Sequence, residues 1–368
     1  MRFERNFNNC PYSELDDVAY WKKSVAQIDL PDLNPMNRPR FNLMPEDIIA
    51  SAGSCFAQHI SRYVKENGYQ FLTTEPPHSF IPTDLASEYN YGTYPARFGN
   101  IYTSRQLLQL FKRAYGKFKP TIKPYRVEEY YIDPFRPFIQ PTGFISLEEM
   151  ESDQIKHLLA VKAMFENLDV FIFTLGLTEC WEYVDDGSIL PSCPGCGVGE
   201  FDSDKYRYKN LTVGEVVQDL KEFISLLNEV NSSAKIIFTV SPVPLVATNS
   251  GDHVLTATTY SKSVLRVAVQ EIKSMFENVD YFPSYEIITT NASRGRYFHT
   301  DLRNVLEEGV SHVMRCFFDS YMGIKLTIEN DGTSTSNSEN YRSYNEFNRI
   351  LMDVICEEEL LEEAIEGG

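Results

Sequence analysis

Asp47-Ile48-Ile49-Ala50-Ser51-Ala52-Gly53-Ser54-Cys55-Phe56-Ala57 is the stretch that decides the fold. The apolar run from Ile48 to Ala52 is short enough for a buried strand, and Gly53 stops it at a tight turn. Beyond the turn, Ala57, Ile60, Tyr63 and Val64 recur at helical spacing, and Gly68 stands where a helix C-terminal glycine is expected. Strand, turn and helix follow in that order.

Three later runs extend the pattern. Asp169-Val170-Phe171-Ile172-Phe173-Thr174-Leu175 is almost unbroken β-branched and aromatic sequence stopped by Gly176, as expected of a strand buried on both faces. Lys235-Ile236-Ile237-Phe238-Thr239-Val240 is another, stopped by Ser241-Pro242, and Val279-Asp280-Tyr281-Phe282 is a third. Between them, Thr212 and Glu215 have capping-box spacing ahead of a helix with Val216, Leu220, Phe223, Ile224 and Leu227 on one face. A further helix is predicted from Ser261 to Phe276. Strands alternating with helices predict an α/β chain with a parallel sheet of about five strands.

The rest of the chain sorts around this core. Residues 1–45 are polar and proline-bearing and read as an arm anchored by Tyr20, Trp21, Leu30, Leu33 and Phe41. The α/β domain is expected over 46–325, with an aromatic- and proline-rich insertion at about 74–165 that roofs one edge and carries a helix from Thr103 to Tyr115. Residues 326–368 read as a flexible linker and an acidic tail, with a short helix from Tyr344 to Leu361.

With 368 residues, the chain has room for two to three average domains or one α/β domain with insertions. Its 52 acidic and 34 basic side chains leave a net charge of -18, and no basic cluster marks a phosphate backbone, so nucleic acid is not an expected partner. No run reaches the ~18 apolar residues of a membrane span, and the start lacks a signal-peptide core. Seven cysteines at irregular spacing are not a secreted disulfide framework, and a reducing, cytoplasmic location is expected.

Ligands of open α/β sheets sit at the carboxyl ends of the strands, so the residues after each strand are informative. Gly53-Ser54-Cys55 places a hydroxyl and a thiol where a helix opens, beside free N–H groups that favour negative charge and lower a thiol pKa. The blander alternative makes Ser54 a helix cap and Cys55 a small core residue. Gly176-Leu177-Thr178-Glu179 would bring a second hydroxyl to the same cleft, unless Thr178 and Glu179 serve as caps.

Gly53 to Ala57 spell the motif of the GSCFA-domain family, which this chain resembles. Segments 174–179, 239–243, 261–266 and 281–286 are similar to that family's other blocks, in the same order, so the resemblance covers about residues 45–320. The family is similar to the SGNH (GDSL-like) hydrolases. This implies a three-layer α/β/α sandwich with a flavodoxin-like sheet and ester chemistry on acylated glycans or lipids. In register with the Gly-Asp-Ser block of those enzymes, Cys55 stands at the nucleophile position and Ser54 replaces the aspartate; slipped by one, Ser54 is the nucleophile. Gly176, Thr178 and Glu179 match the Gly-x-Asn-Asp block, with Thr178 in place of the oxyanion-binding asparagine and Asn100 of the insertion as a substitute donor. The Asp-x-x-His block reads Asp301-Leu302-Arg303-Asn304, so the expected histidine is Asn304, which cannot act as a base. His253 ranks first and His299 second as replacements, with Asp301 as orienter, whereas His312 reads as a packed helix residue.

Cys193-Pro194-Gly195-Cys196 lies among prolines and glycines that forbid a helix, and a structural turn is favoured over zinc or redox chemistry. The expected function is an ester hydrolase or O-acyltransferase acting on an acylated carbohydrate through a covalent acyl-enzyme, with no cofactor and no metal. The alternative is a glycan-binding protein that keeps the cleft without turnover, and a third reading is a redox or metal protein built on Cys180, Cys193 and Cys196.

Overall fold

The structure, a computed structural model, describes residues 10–323 apart from the side chain of Cys55. The expected linker, acidic tail and tail helix therefore lie outside the described residues. From the arm, whose short helical turns include Asp17–Ala19 and Leu30–Asp32, the chain enters β1 (Ile48–Gly53), α1 (Cys55–Glu66) and β2 (Gln70–Phe71). Next come α2 (Thr83–Glu88), α3 (Ser104–Ala114), a hairpin of β3 (Tyr125–Val127) and β4 (Tyr130–Ile132), and α4 (Leu147–Asn167). β5 (Val170–Leu175) leads into β6 (Glu179–Tyr183), β7 (Ile189–Leu190) and β8 (Tyr206–Asn210). The chain then runs through α5 (Val213–Val230), β9 (Lys235–Val240), α6 (Val254–Met275), β10 (Val279–Tyr281), α7 (Ser284–Thr289) and α8 (Glu307–Met322).

Five of these strands form one parallel sheet in the order β2-β1-β5-β9-β10, the 2-1-3-4-5 order of flavodoxin-like sheets. Alternation along β5 shows why the central strands read as continuous apolar runs. Phe171 and Phe173 face a core built with α3, α4, α5 and α6, while Val170 and Ile172 face a second core built with α1, α7 and α8. The result is the expected three-layer α/β/α sandwich.

Local signals fix the helix ends. Thr103 caps α3 in a capping box with Gln106, and Thr212 caps α5 with Glu215. α6 begins at Val254, earlier than predicted, because His253 rather than a hydroxyl caps it. The insertion departs from a simple roof. Leu107, Leu108 and Phe111 of α3 join Val161, Met164 and Phe165 of α4 in the main core, so both helices belong to a layer of the sandwich.

The arm is anchored from both ends. Leu43 N–H donates to the Tyr321 carbonyl at 2.8 Å, and Leu33 O lies 2.9 Å from His312 Nε2. Asp280, fully buried, gathers the Arg40 N–H, the Tyr321 hydroxyl and the Lys273 ammonium. No helix among the described residues is long and apolar enough to cross a membrane.

Candidate active site

Parallel pairing sets the site. Gly53 is in register with Thr174, so the turn after β1 and the loop after β5 emerge side by side at the carboxyl edge of the sheet. Gly53 adopts φ +147°, and a Cβ there would stand 2.7 Å from the Thr174 carbonyl oxygen. Ser54 follows as the N-cap residue of α1 in extended conformation, but its hydroxyl makes no cap hydrogen bond. It is 4% exposed and its Oγ has no partner among the described residues. Cys55 is the first helical residue, at the end where backbone N–H groups lack intrahelical acceptors; its thiol lies outside the described residues.

The insertion is tied to this turn. Ile101 N–H donates to the Gly53 carbonyl at 2.9 Å. The buried Tyr94 hydroxyl lies 2.9 Å from Asn100 Oδ1, 3.2 Å from the Ser54 carbonyl and 3.3 Å from the Gly53 carbonyl. With its carboxamide oxygen held by Tyr94, Asn100 keeps its NH2 group as the donor it can offer.

The loop after β5 uses its donors differently from expectation. Gly176 and Leu177 N–H both point to the Tyr102 carbonyl, at 2.9 and 3.2 Å. Thr178, wholly buried, donates its hydroxyl to Asn210 Oδ1 at 2.7 Å and its N–H to Ser261 Oγ at 3.0 Å. These groups hold the loop to β8 and α6. Glu179 opens β6 and accepts from the Thr248 hydroxyl at 2.6 Å.

A residue to which the sequence reading gave no role enters here. Lys262, 2% exposed, donates from Nζ to the Gly176 carbonyl at 2.5 Å, two residues beyond the strand partner of Gly53. Its signal was available in sequence. Positions 262, 265, 269 and 272 form one buried helical stripe, and a lysine on an otherwise apolar stripe must have a partner inside.

Both expected histidines are exposed. His253 is exposed, and its Nδ1 accepts the Leu255 N–H at 3.2 Å as the α6 cap. His299 is exposed in the tight loop that precedes α8, where its N–H donates to the Asn304 carbonyl. Burial raises the pKa of Asp301, but the N–H groups of Arg303 and Asn304, the Asn304 amide and the nearby His299 together hold it below the usual carboxylate range. Asn304 Nδ2 donates to Asp301 Oδ2 at 2.8 Å, so the two positions of the Asp-x-x-His block bond to each other. His312 packs inside α8, 2.7 Å from the Tyr297 hydroxyl, and burial lowers its pKa to about 4.

His59 of α1 carries no sequence signal that marks it as a site residue. It follows Cys55 by one helical turn, the spacing at which helix side chains neighbour one another. Burial, then Arg62, lowers its pKa to about 3, so it stays neutral at working pH and is a weak base.

A cavity of about 300 Å³ opens beside this edge. Tyr102 and Leu177, joined by the Leu177 N–H to Tyr102 carbonyl bond, line it together with Trp181, Tyr208 and Leu245. Ser54 is not among the lining residues. Cys193 and Cys196 line the cavity too, on the turn that the sequence predicted.

No curated protein matches the chain. Among solved structures, a family 3 carbohydrate esterase from Clostridium thermocellum is similar at 9% identity and TM-score 0.31, with 76% of this chain and 96% of that chain covered. An acetyl xylan esterase from the rumen bacterium Butyrivibrio proteoclasticus is similar at 12% identity and TM-score 0.28, with 76% and 65% covered. Likenesses of that size establish neither fold nor chemistry. The model of the GSCFA family matches residues 48–317, which take in the strand, the turn, α1, the β5 loop and Lys262, and the chain belongs to that family.

Proposed function

We propose that the chain is an ester hydrolase or O-acyltransferase that takes an acyl group from an acylated carbohydrate onto Cys55. The observation that carries this reading is the convergence, at one carboxyl edge, of the α1 N-terminus, Asn100 and the buried Lys262 ammonium next to an aromatic-lined cavity. Ser54 fits the nucleophile role less well, because its hydroxyl is sealed from solvent and an acyl carbon has to reach the attacking atom.

The thiolate forms through the helix end and the lysine rather than through a histidine. It attacks the ester carbonyl, a C–S bond forms, and the carbonyl electron pair moves to oxygen. First-turn N–H groups and the Asn100 amide face that oxyanion, because the donors at 176–178 are engaged elsewhere. Collapse expels the sugar alkoxide, which takes a proton from water. Water or a second hydroxyl then releases the acyl group from Cys55. Trp181 and Tyr208 supply flat apolar faces suited to a sugar ring, and Glu179 a polar edge.

Incubation with p-nitrophenyl acetate tests the reading: a burst of p-nitrophenol and an acetyl adduct on the Cys55 peptide are expected. A second reading, glycan binding without turnover, is favoured by the Asp301–Asn304 bond. It prevails if no adduct forms while acetylated glycan still binds. Lys262→Met is expected to lower turnover ~10²–10³-fold, the usual cost of losing one preorganised electrostatic group. Met matches the volume of the buried stem, so the melting temperature should move by only a few degrees, and equal losses of fold and activity would make Lys262 merely structural.

A further inference from the structure

We propose that Cys193 and Cys196 form a dithiol–disulfide site on the wall of the cavity, closing by exchange with low-molecular-weight disulfides. This site is independent of whether the cavity takes an ester.

The geometry begins with the turn. Cys196 N–H donates to the Cys193 carbonyl at 3.0 Å, an i to i+3 turn that holds the two Cα atoms within about 7 Å. Disulfides span Cα separations of about 4.4–6.8 Å, so closure needs little backbone movement. Gly195 at φ +93° and Gly197 at φ +82° give the loop a path other residues resist, and Gly195 N–H donates to the Val198 carbonyl at 2.9 Å. Pro194 is buried between the two half-buried cysteines and anchors the loop. The cysteine side chains already interact with each other.

Chemistry separates this pair from the other described cysteines near the core. Cys180 and Cys316 are buried, and burial pushes both thiols up to about 12, which keeps them protonated and shielded. Within the pair, burial and then Cys196 push Cys193 up to about 12, and Cys193 Sγ donates to the Pro194 carbonyl at 3.5 Å. The Cys193 S–H is thus engaged with the loop backbone, and Cys196 is assigned as the attacking sulfur. A closed zinc site takes four ligands, and among the described residues no three histidine, cysteine or acidic side chains gather to hold a metal.

The exchange balances. The Cys196 thiolate attacks one sulfur of the small disulfide, forming a mixed disulfide and expelling one small thiolate. Cys193 then loses its proton, attacks the Cys196 sulfur and expels the second small thiolate. Two protein thiols are oxidised, one small disulfide is reduced to two thiols, and the two cysteine protons end on those thiols. Pro191 and Ser192 line the cavity just before the pair, so closure stiffens the wall that a cavity ligand touches.

The full chain, equilibrated in glutathione buffers from reducing to oxidising, acid-quenched and alkylated, gives a direct readout by peptide mass. Expected is a Cys193–Cys196 peptide two hydrogens lighter and unalkylated at the oxidising end. Cys193→Ser should stop at a glutathione adduct on Cys196, whereas Cys196→Ser should leave Cys193 alkylated. The Cys193→Ser adduct also shows that the loop remains accessible, so a folding failure is distinguishable. Both cysteines alkylated throughout the series, a link from either to another cysteine, or zinc that survives a chelator and protects the pair would each overturn the proposal. Because thiol mass is read rather than ester turnover, failure of the esterase reading leaves this outcome unaffected.

Discussion

Cys55→Ala protein is expected to release p-nitrophenol from p-nitrophenyl acetate at least ~10³-fold more slowly than the parent, with no burst and no acetylated peptide. Removing a nucleophile leaves only what the oxyanion donors and binding contribute, and that residue of activity is usually small. Cys55→Ser should fall almost as far. A helix N-terminus favours a thiolate, as the proposed mechanism requires, but a hydroxyl starts too high for the same environment to ionise it.

Ser54→Ala separates the two alignments of the turn. The Ser54 hydroxyl is buried and has no partner among the described residues, so deleting it should leave stability level or slightly raised. If Cys55 is the nucleophile, Ser54→Ala keeps most of its turnover and still acquires the acetyl adduct. An inactive Ser54→Ala beside an active Cys55→Ala would reverse the assignment and place the acyl group on the serine.

The parts of the chain that were legible in sequence are those whose physics is local. β5 could be read to within one residue because six consecutive positions are buried and the run ends at Gly176. The capping box at Thr212 marks a helix start through contacts three residues long, and Thr103 caps its helix in the same way. α4 was missed because its buried positions, Met150, His157, Val161 and Met164, are spaced among charged residues and include a histidine. The small sheet of β6, β7 and β8 was missed for a related reason: alternation in Glu179-Cys180-Trp181-Glu182-Tyr183 puts Cys180 and Glu182 on the buried side, so polarity does not report burial.

The candidate site was legible in its first element only. Gly53, Ser54 and Cys55 announce themselves by position after a strand, but the partners that decide their neighbours' roles are far away in sequence. Thr178 offers an oxyanion donor on paper, and Asn210, 32 residues on, takes its hydroxyl. Gly176 looks like a backbone donor, and its N–H is held by Tyr102 while its carbonyl holds Lys262, 86 residues on. Donor identity can be read from a sequence; donor availability depends on contacts that only the fold makes.

Gly53→Ala should be strongly destabilising. Two costs coincide at this position. At φ +147° an alanine occupies backbone space that L-residues avoid, which costs about 1–3 kcal/mol. Its Cβ would also meet the Thr174 carbonyl oxygen at 2.7 Å, the Thr174 Cβ at 2.8 Å and the Ala57 Cβ at 3.0 Å, and overpacking of this kind costs a further ~1–3 kcal/mol. None of the three can yield cheaply: two belong to the central strand β5, and Ala57 is in the first turn of α1. A total of several kcal/mol is a large part of the ~5–15 kcal/mol that holds a protein folded, and it corresponds to a melting temperature lower by about 5–10 °C. Relief can come only by pushing the turn away from Thr174, which carries Ser54 and Cys55 off the edge where Asn100 and Lys262 converge, so turnover should fall even in the fraction that stays folded. Two glycines calibrate the result. Gly176→Ala places its Cβ 3.3 Å from Tyr102 and should cost less, while Gly214→Ala meets nothing within 4 Å in helix α5 and should be neutral or slightly stabilising. Thermal unfolding of the three variants decides the matter: a Gly53→Ala protein that melts with Gly214→Ala would mean that the turn is not held against β5 as described.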